Sequence, residues 1–199
     1  MPLSLAAALF LIMVTWRNGI DAMHTGLVQA ARTAEVFLEE LKSGAIPRVD
    51  GTVVFLTRSS QKVPRLMIDH VHFVRVLPRQ AIALSIMFET TPRVSGPKCL
   101  MVETVGEGLW HVVARFGFFE IPDLRAALDD VRLQQAGIDF DRAVFIAARD
   151  LVVRKPQGSA MKGWRVALFA FLYHNSAKIM DRFNLAPDRV IEVARQIEI

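Results

Sequence analysis

Apolar positions along this chain follow three rhythms. From Pro2 to Trp16 they are unbroken: PLSLAAALFLIMVTW carries no charge over fifteen residues. From Ile20 to Lys42 they recur at Met23, Leu27, Ala30, Ala34, Phe37, Leu38 and Leu41, near the helical repeat. Gln29, Arg32, Glu35, Glu39 and Lys42 take the other faces. Beyond Ile46 they come in short runs punctuated by Gly and Pro. The chain therefore divides into residues 1–19, an apolar helix stopped by Asn18-Gly19, and residues 20–45, an amphipathic linker helix stopped by Ser43-Gly44. Residues 46–199 form the third part, a folded domain.

The third rhythm reads as strands and helices in alternation. After a turn-rich lead-in at Ile46–Gly51, Thr52 to Thr57 (TVVFLT) and Ala81 to Glu89 (AIALSIMFE) are continuous apolar runs, the signature of buried strands. Val63 to Val71 between them predicts a short helix, so the order is that of a right-handed parallel unit. Leu100–Val105 and Leu109–Phe118 flank Gly106-Glu107-Gly108 and predict a β-hairpin, with the glycines supplying positive φ. Pro122 suits the first turn of a helix running to about Gln135. Ala143–Ala148 and Asp150–Val153 predict a strand or a strand pair. Lys162–Phe183 predicts a strong helix, and Pro187 opens a last element over Arg189–Ile199. The fold class is α/β: a mixed β-sheet with flanking helices.

The opening run has three readings. As a helix, fifteen residues span about 22 Å. A full bilayer crossing needs about 20 residues for about 30 Å of hydrocarbon. A signal peptide wants basic residues ahead of the run and a small-residue cleavage site behind it, and neither is present. A buried core helix suits the length. The third reading is the inner end of a transmembrane helix, with Trp16 at the interface and Arg17 on the cytoplasmic side; it is preferred.

Composition adds little to this picture. Apolar residues make up 52%, enough for a real core, and mean hydropathy is +0.31. Net charge is +4, but the 24 basic residues are scattered. Basic balance without a basic block favours an anionic membrane surface at least as well as nucleic acid. The single cysteine, Cys99, excludes an internal disulfide and a cysteine metal cluster.

Candidate chemistry is sparse. His70 and His72, two apart, would share a side only on an extended segment, and no third ligand accompanies them. His24, His111 and His174 are isolated, with no nucleophile or orienting acid at a recognisable spacing. Cys99 follows Lys98 but precedes a strand, where a small buried side chain is ordinary. Gly106-x-Gly108 lacks the third glycine and the helix of a dinucleotide loop. Asp129-Asp130 and Asp139/Asp141 do not form a calcium loop. No catalytic residue, cofactor site or metal site is assigned. One candidate binding loop stands out: Thr57, Arg58, Ser59 and Ser60 follow the first buried strand. In open α/β sheets ligands bind beyond the carboxyl ends of strands, and hydroxyls with an arginine suit an anion.

Taken in order, the pieces resemble the cytosolic C-terminal region of the Kup family of potassium uptake permeases, joined to the end of their last membrane helix. Residues 9–19 (LFLIMVTWRNG) are similar to that helix and its basic exit. Pro47–Thr57 (PRVDGTVVFLT), Val63-Pro64 and the VGEGLWHVVARFGFFEIP stretch ending at Pro122 resemble successive parts of the soluble domain. So do Phe145–Asp150, Gly163-Trp164, Leu168–Leu172, Phe183–Val190 and the closing Gln196–Ile199. Leu66–Arg79 departs from the family's usual asparagine- and histidine-containing helix, with only Arg75-Val76-Leu77 fitting well.

The resemblance implies the C-terminal cytosolic part of a potassium importer, a potassium–proton symporter when whole, in the cell inner membrane with Arg17 onward in the cytoplasm. Potassium and protons would pass through a membrane part that this sequence lacks, so no transport residue is carried over. The domain's expected role is regulatory or structural, compatible with a homodimer and without nucleic acid. Two other readings stay open: a nucleotide- or anion-sensing module acting through Thr57–Ser60, and a stand-alone soluble α/β protein.

Overall fold

The computed structural model describes residues 2–25, 27–57, 59–94, 99–124, 128, 134, 137–138, 140–153, 161–175 and 187–198. In chain order its elements are α1 (Pro2–Thr25), α2 (Leu27–Lys42), β1 (Arg48–Thr57), α3 (Arg65–Val74), β2 (Leu77–Glu89), β3 (Leu100–Gly106) and β4 (Leu109–Gly117). Then come β5 (Val144–Val153), α4 (Gly163–Asn175), a 3-10 turn (Pro187–Arg189) and β6 (Val190–Glu198). The strands form one mixed sheet in the order β3-β4-β2-β1-β5-β6. The chain divides into two units.

The larger unit comprises Thr33–Ala148 and Lys178–Val193. Here β1 pairs in parallel with β2, from Val53 beside Ala81 to Thr57 beside Ser85, and with β5 on its other side. β2 pairs in parallel with β4, and β3–β4 is the antiparallel hairpin. The unbroken apolar runs of β1 and β2 are explained by cover on both faces. Val54, Leu56, Ile82, Leu84, Ile86, Val112 and Ala114 point to one side, where Leu124, Leu128 and Ile138 cover them. Phe55, Ala81 and Ala83 point to the other, against Leu66, Met67 and Val71 of α3 and Phe37 of α2. This is the period of two that strands impose. α3 stops at Arg75, whose left-handed backbone (φ 60°) lets its N–H close on the Val71 carbonyl at 2.7 Å.

The smaller unit comprises Met1–Arg32, Arg149–Ala177 and Ala194–Ile199. In it Trp16, Ile20 and Ala22 of α1 pack against Val166, Phe169 and Tyr173 of α4 and against Met161 just ahead of it. The aromatic rings of Trp16, Phe169 and Tyr173 lie 5.6 to 6.4 Å apart between centroids. Arg195 grips the Asp150 carboxylate at 2.9 and 2.7 Å, and the Tyr173 hydroxyl donates to it from 3.4 Å.

Several expectations change. Asn18-Gly19 does not stop the first helix: α1 runs through both to Thr25. Gly19 is used for close packing, since the Phe169 ring fills the space where its Cβ would stand. The apolar helix is thereby longer than the uncharged run. Pro2–Ala22, 21 residues, is long and apolar enough to cross a membrane. In the hairpin only Gly108 takes positive φ (64°); Gly106 does not. Asp150–Val153 continues β5 and is no second strand. Pro122 and Asp123 are not helical; of the rest of the helix expected from Pro122, Leu124, Leu128 and Gln134 are described and are helical, and the part of Lys162–Phe183 beyond Asn175 lies outside the described residues.

Candidate functional site

The alternation that sorts β1, β2 and β4 also collects their polar exceptions. Thr57, Ser85 and His111 share the face that α3 covers, and Glu103 on β3 sits opposite His111. The loop from β1 to α3 brings Ser59 and Lys62 beside them. The Ser85 hydroxyl donates to the Ser59 carbonyl oxygen at 2.7 Å and lies 3.0 Å from His111 Nε2. Since the serine has one proton and gives it to a carbonyl, Nε2 must carry the hydrogen and donate it to Ser85 Oγ. His111 Nδ1 is then the ring's acceptor; it is buried and has no partner among the described residues. Lys62 and Glu103 form an ion pair at the rim.

Burial pushes the His111 imidazole below its ordinary pKa of 6.5; Glu103 pulls it up and Lys62 pushes it further down. The residue is 2% exposed. This geometry does not activate a nucleophile. The imidazole donates to the serine instead of receiving its proton, and among the described residues no carboxylate orients the far nitrogen. The arrangement is a buried tie that fastens the loop after β1 to the middle of the sheet.

That tie includes the expected anion loop. Thr57 Oγ1 accepts the Ser59 N–H at 3.0 Å, and Ser59 Oγ accepts the Gln61 N–H at 3.3 Å. Both hydroxyls thus cap backbone within the loop. Ser60 is exposed, and Arg58 lies outside the described residues. The loop follows β1, which has parallel neighbours β2 and β5 on its two sides.

The remaining candidates scatter. His70 and His72 fall on α3, where two-apart residues face different ways. His70 rests edge-on against Phe55 at 5.5 Å, and burial lowers its pKa; His72 is exposed beside Phe73. His174 is exposed at the end of α4, and Cys99 is half-buried before β3. Asp141 sits in a turn where Arg189 donates to its carbonyl. The side chain of His24, and Asp129, Asp130 and Asp139, lie outside the described residues. Among the described residues, no group of three or more His, Cys, Asp or Glu side chains is placed to hold a metal. The Ser85–His111 tie was missed by sequence reasoning. Its signal was two polar residues placed at the same parity inside apolar runs, in ALSIM and LWHVV.

The family model described as the K+ potassium transporter C-terminal domain matches residues 50–199. The chain belongs to this family. The K+ potassium transporter C-terminal domain therefore contains the whole sheet after the start of β1, its covering helix α3, the Ser85–His111 tie and α4. The curated relatives extend the likeness to the N-terminal helices. The probable potassium transport system protein Kup 4 of a Bradyrhizobium species is 48% identical over 199 residues, covering 100% of this chain and 31% of that protein. The probable potassium transport system protein Kup 1 of Geobacter sulfurreducens is 33% identical over 198 residues, with the same coverage. The Kup protein of Pseudomonas aeruginosa is likewise 33% identical over 198 residues, covering 100% of this chain and 31% of the relative. The chain thus spans about a third of the length of these relatives. No solved structure matches it.

Proposed function

We propose that this chain is the C-terminal part of a potassium uptake transporter, with α1 as the inner end of its last membrane helix and residues from Arg17 onward on the cytoplasmic side of the cell inner membrane. One observation carries the reading. The likeness to Kup proteins runs through both the domain and the helix ahead of it, and that helix is exposed where a core helix would be buried. Leu3 is 86% exposed, Phe10 69% and Met13 70%, a run of large apolar side chains that lipid accommodates and water does not. In the full-length protein the activity is potassium import, coupled to protons. The domain's share is regulation or assembly, with a homodimer as its expected form, and it carries no catalytic residue.

Complementation of a potassium-uptake-deficient bacterium tests this. Residues 1–199 alone should insert in the membrane and give no rescue. The same residues placed behind the membrane helices of a Kup relative, replacing its own C-terminal region, should restore growth on limiting potassium. Rescue by the 199 residues alone, or recovery of the chain in the soluble fraction, overturns the reading.

A second reading, anion or nucleotide sensing through Thr57–Ser60, is favoured by the loop's place beyond the carboxyl end of β1, where the sheet's parallel order turns both ways. Calorimetry with a nucleotide panel that includes cyclic dinucleotides tests it; no heat and no thermal shift with any member removes it.

A further inference from the structure

We propose that α4 is an interfacial helix that lies in the headgroup layer of the membrane, with the face bearing Trp164 and Phe171 turned to lipid. The proposal rests on the reading of α1 as a membrane span. α4 has two apolar faces where a helix of a soluble domain needs one. Its inner face, Val166, Phe169 and Tyr173, packs on α1. Its outer face carries Trp164, Ala167 and Phe171, at the three- and four-residue spacing that aligns side chains on one side. All three are exposed, Trp164 by 54% and Phe171 by 66%.

The depth of this face is set by where α4 grips α1. Arg165 Nε donates to Thr15 Oγ1 at 3.2 Å. With the Asn18 amide oriented to satisfy both its ends, that side chain donates to the Val14 carbonyl at 3.3 Å and accepts from Arg165 Nη2 at 3.2 Å. Phe169 seats against Gly19. These contacts engage Thr15 to Ala22, the last third of the candidate span, which at about 1.5 Å per residue covers its final ~12 Å. Upstream of that segment α1 shows Leu9, Phe10 and Met13 on its surface. α4 is therefore held at the level where the span leaves the hydrocarbon, the layer in which tryptophan concentrates. Exposed Lys162 and Arg17 stand near the ends of this contact, with charge suited to lipid phosphates. Burying apolar area beside flanking cations is how amphipathic helices hold an interface.

Single-cysteine variants of the full chain, in a Cys99→Ser background, test this after reconstitution in phosphatidylcholine vesicles containing phosphatidylglycerol. An environment-sensitive dye is placed by Trp164→Cys, Phe171→Cys, Leu9→Cys or Asp50→Cys. Quenching is read with aqueous iodide and with lipids carrying a nitroxide near the headgroup or deep in the acyl chain. The labels at 164 and 171 should lose more fluorescence to the shallow nitroxide than to the deep one and be shielded from iodide. The label at 9 should respond to the deep nitroxide, and the label at 50 to iodide alone. If 164 and 171 behave like 50 while 9 reports lipid, α1 spans and the proposal for α4 falls, leaving that face to a protein partner. If 9 also behaves like 50, both readings fall together.

Discussion

Phe169 fills the space in which a side chain at residue 19 would stand, so α1 and α4 meet at a point where only glycine fits. An alanine is ordinarily the better helix residue by roughly 0.5–1 kcal/mol. Here the obstacle is the edge of a fully buried aromatic ring, not the free end of a flexible side chain. Overpacking of that kind costs about 1–3 kcal/mol, so the clash outweighs the propensity. Gly19→Ala should lower the thermal midpoint of the solubilised chain. Phe169→Leu combined with Gly19→Ala should recover part of the loss, because contacting residues couple. Additive losses would show that the two positions do not meet.

The Ser85–His111 tie should make the domain sensitive to mild acid. Burial lowers the folded-state pKa of His111, so the unfolded chain binds the proton more readily. The stabilisation is then complete above the unfolded value of 6.5 and is lost as pH falls below it toward the lowered folded value. The thermal midpoint should drop between about pH 7 and about pH 5. His70 is shifted in the same direction, also by burial. His111→Gln and His70→Gln should therefore each flatten the profile in part. A profile unchanged by His111→Gln would mean that the imidazole does not titrate differently on folding.

The contrast between what could and could not be read beforehand has a physical basis. β1, β2, α3 and the β3–β4 hairpin were legible because their signals are local: a two-sided apolar run, a proline ahead of a short helix, glycines between alternating strands. Gly19 was misread because an Asn-Gly pair is an ordinary local stop. What overrides it is a ring 150 residues further along the chain. The Ser85–His111 pair was illegible for the same reason. Neither residue is unusual alone, and only the β2–β4 register makes them neighbours. Thr57 does end a strand, but the capping role of the Thr57 and Ser59 hydroxyls depends on turn geometry that residue types do not reveal.

Removing the Ser85 hydroxyl should cost more than one hydrogen bond. Ser85→Ala leaves the His111 Nε2–H buried without an acceptor and frees the Ser59 carbonyl. An unsatisfied buried group costs about 1–3 kcal/mol. Ser85→Ala with His111→Leu removes both polar ends and should be less destabilised than the sum of the single changes. Amide exchange at Ser59 and Gln61 should accelerate in Ser85→Ala while the β3–β4 hairpin amides hold.

Glu120 staples the chain after β4. Its Oε2 accepts the Gly117 N–H at 2.5 Å and the Val94 N–H at 3.2 Å. Phe118 and Phe119 are held out in solvent between them, their own N–H groups bonded to Thr91 and Pro92. Bonds to a charged acceptor contribute about 1.5–3 kcal/mol. Glu120→Ala should raise amide exchange at Gly117 and Val94 together. Glu120→Gln, which keeps an acceptor without the charge, should fall between it and the parent. Unchanged exchange in Glu120→Ala would show that the backbone bonds to Thr91 and Pro92 suffice.

Gly108 combines two demands that a pair of substitutions separates. Its φ of 64° lies in the left-handed region, where a residue with a Cβ is strained. Independently, a Cβ there would run into the Arg79 carbonyl and the Arg48 guanidinium. Arg48 Nη2 donates to that carbonyl at 3.1 Å and to the Glu107 carbonyl at 2.8 Å, so it clamps the hairpin turn onto the start of β2. Asparagine tolerates left-handed backbone better than alanine does but brings the same Cβ. If conformation alone mattered, Gly108→Asn would be nearly neutral and Gly108→Ala costly. Because the carbonyl is in the way, both should be destabilised, Gly108→Ala the more because it also carries the backbone strain, with thermal midpoints falling about 2–4 °C per kcal/mol lost. Arg48→Ala should lower the midpoint by itself and do little more in the Gly108→Ala background, where the clamp is already displaced. A parent-like Gly108→Asn would locate the whole requirement in the backbone angle and leave the clamp without a role.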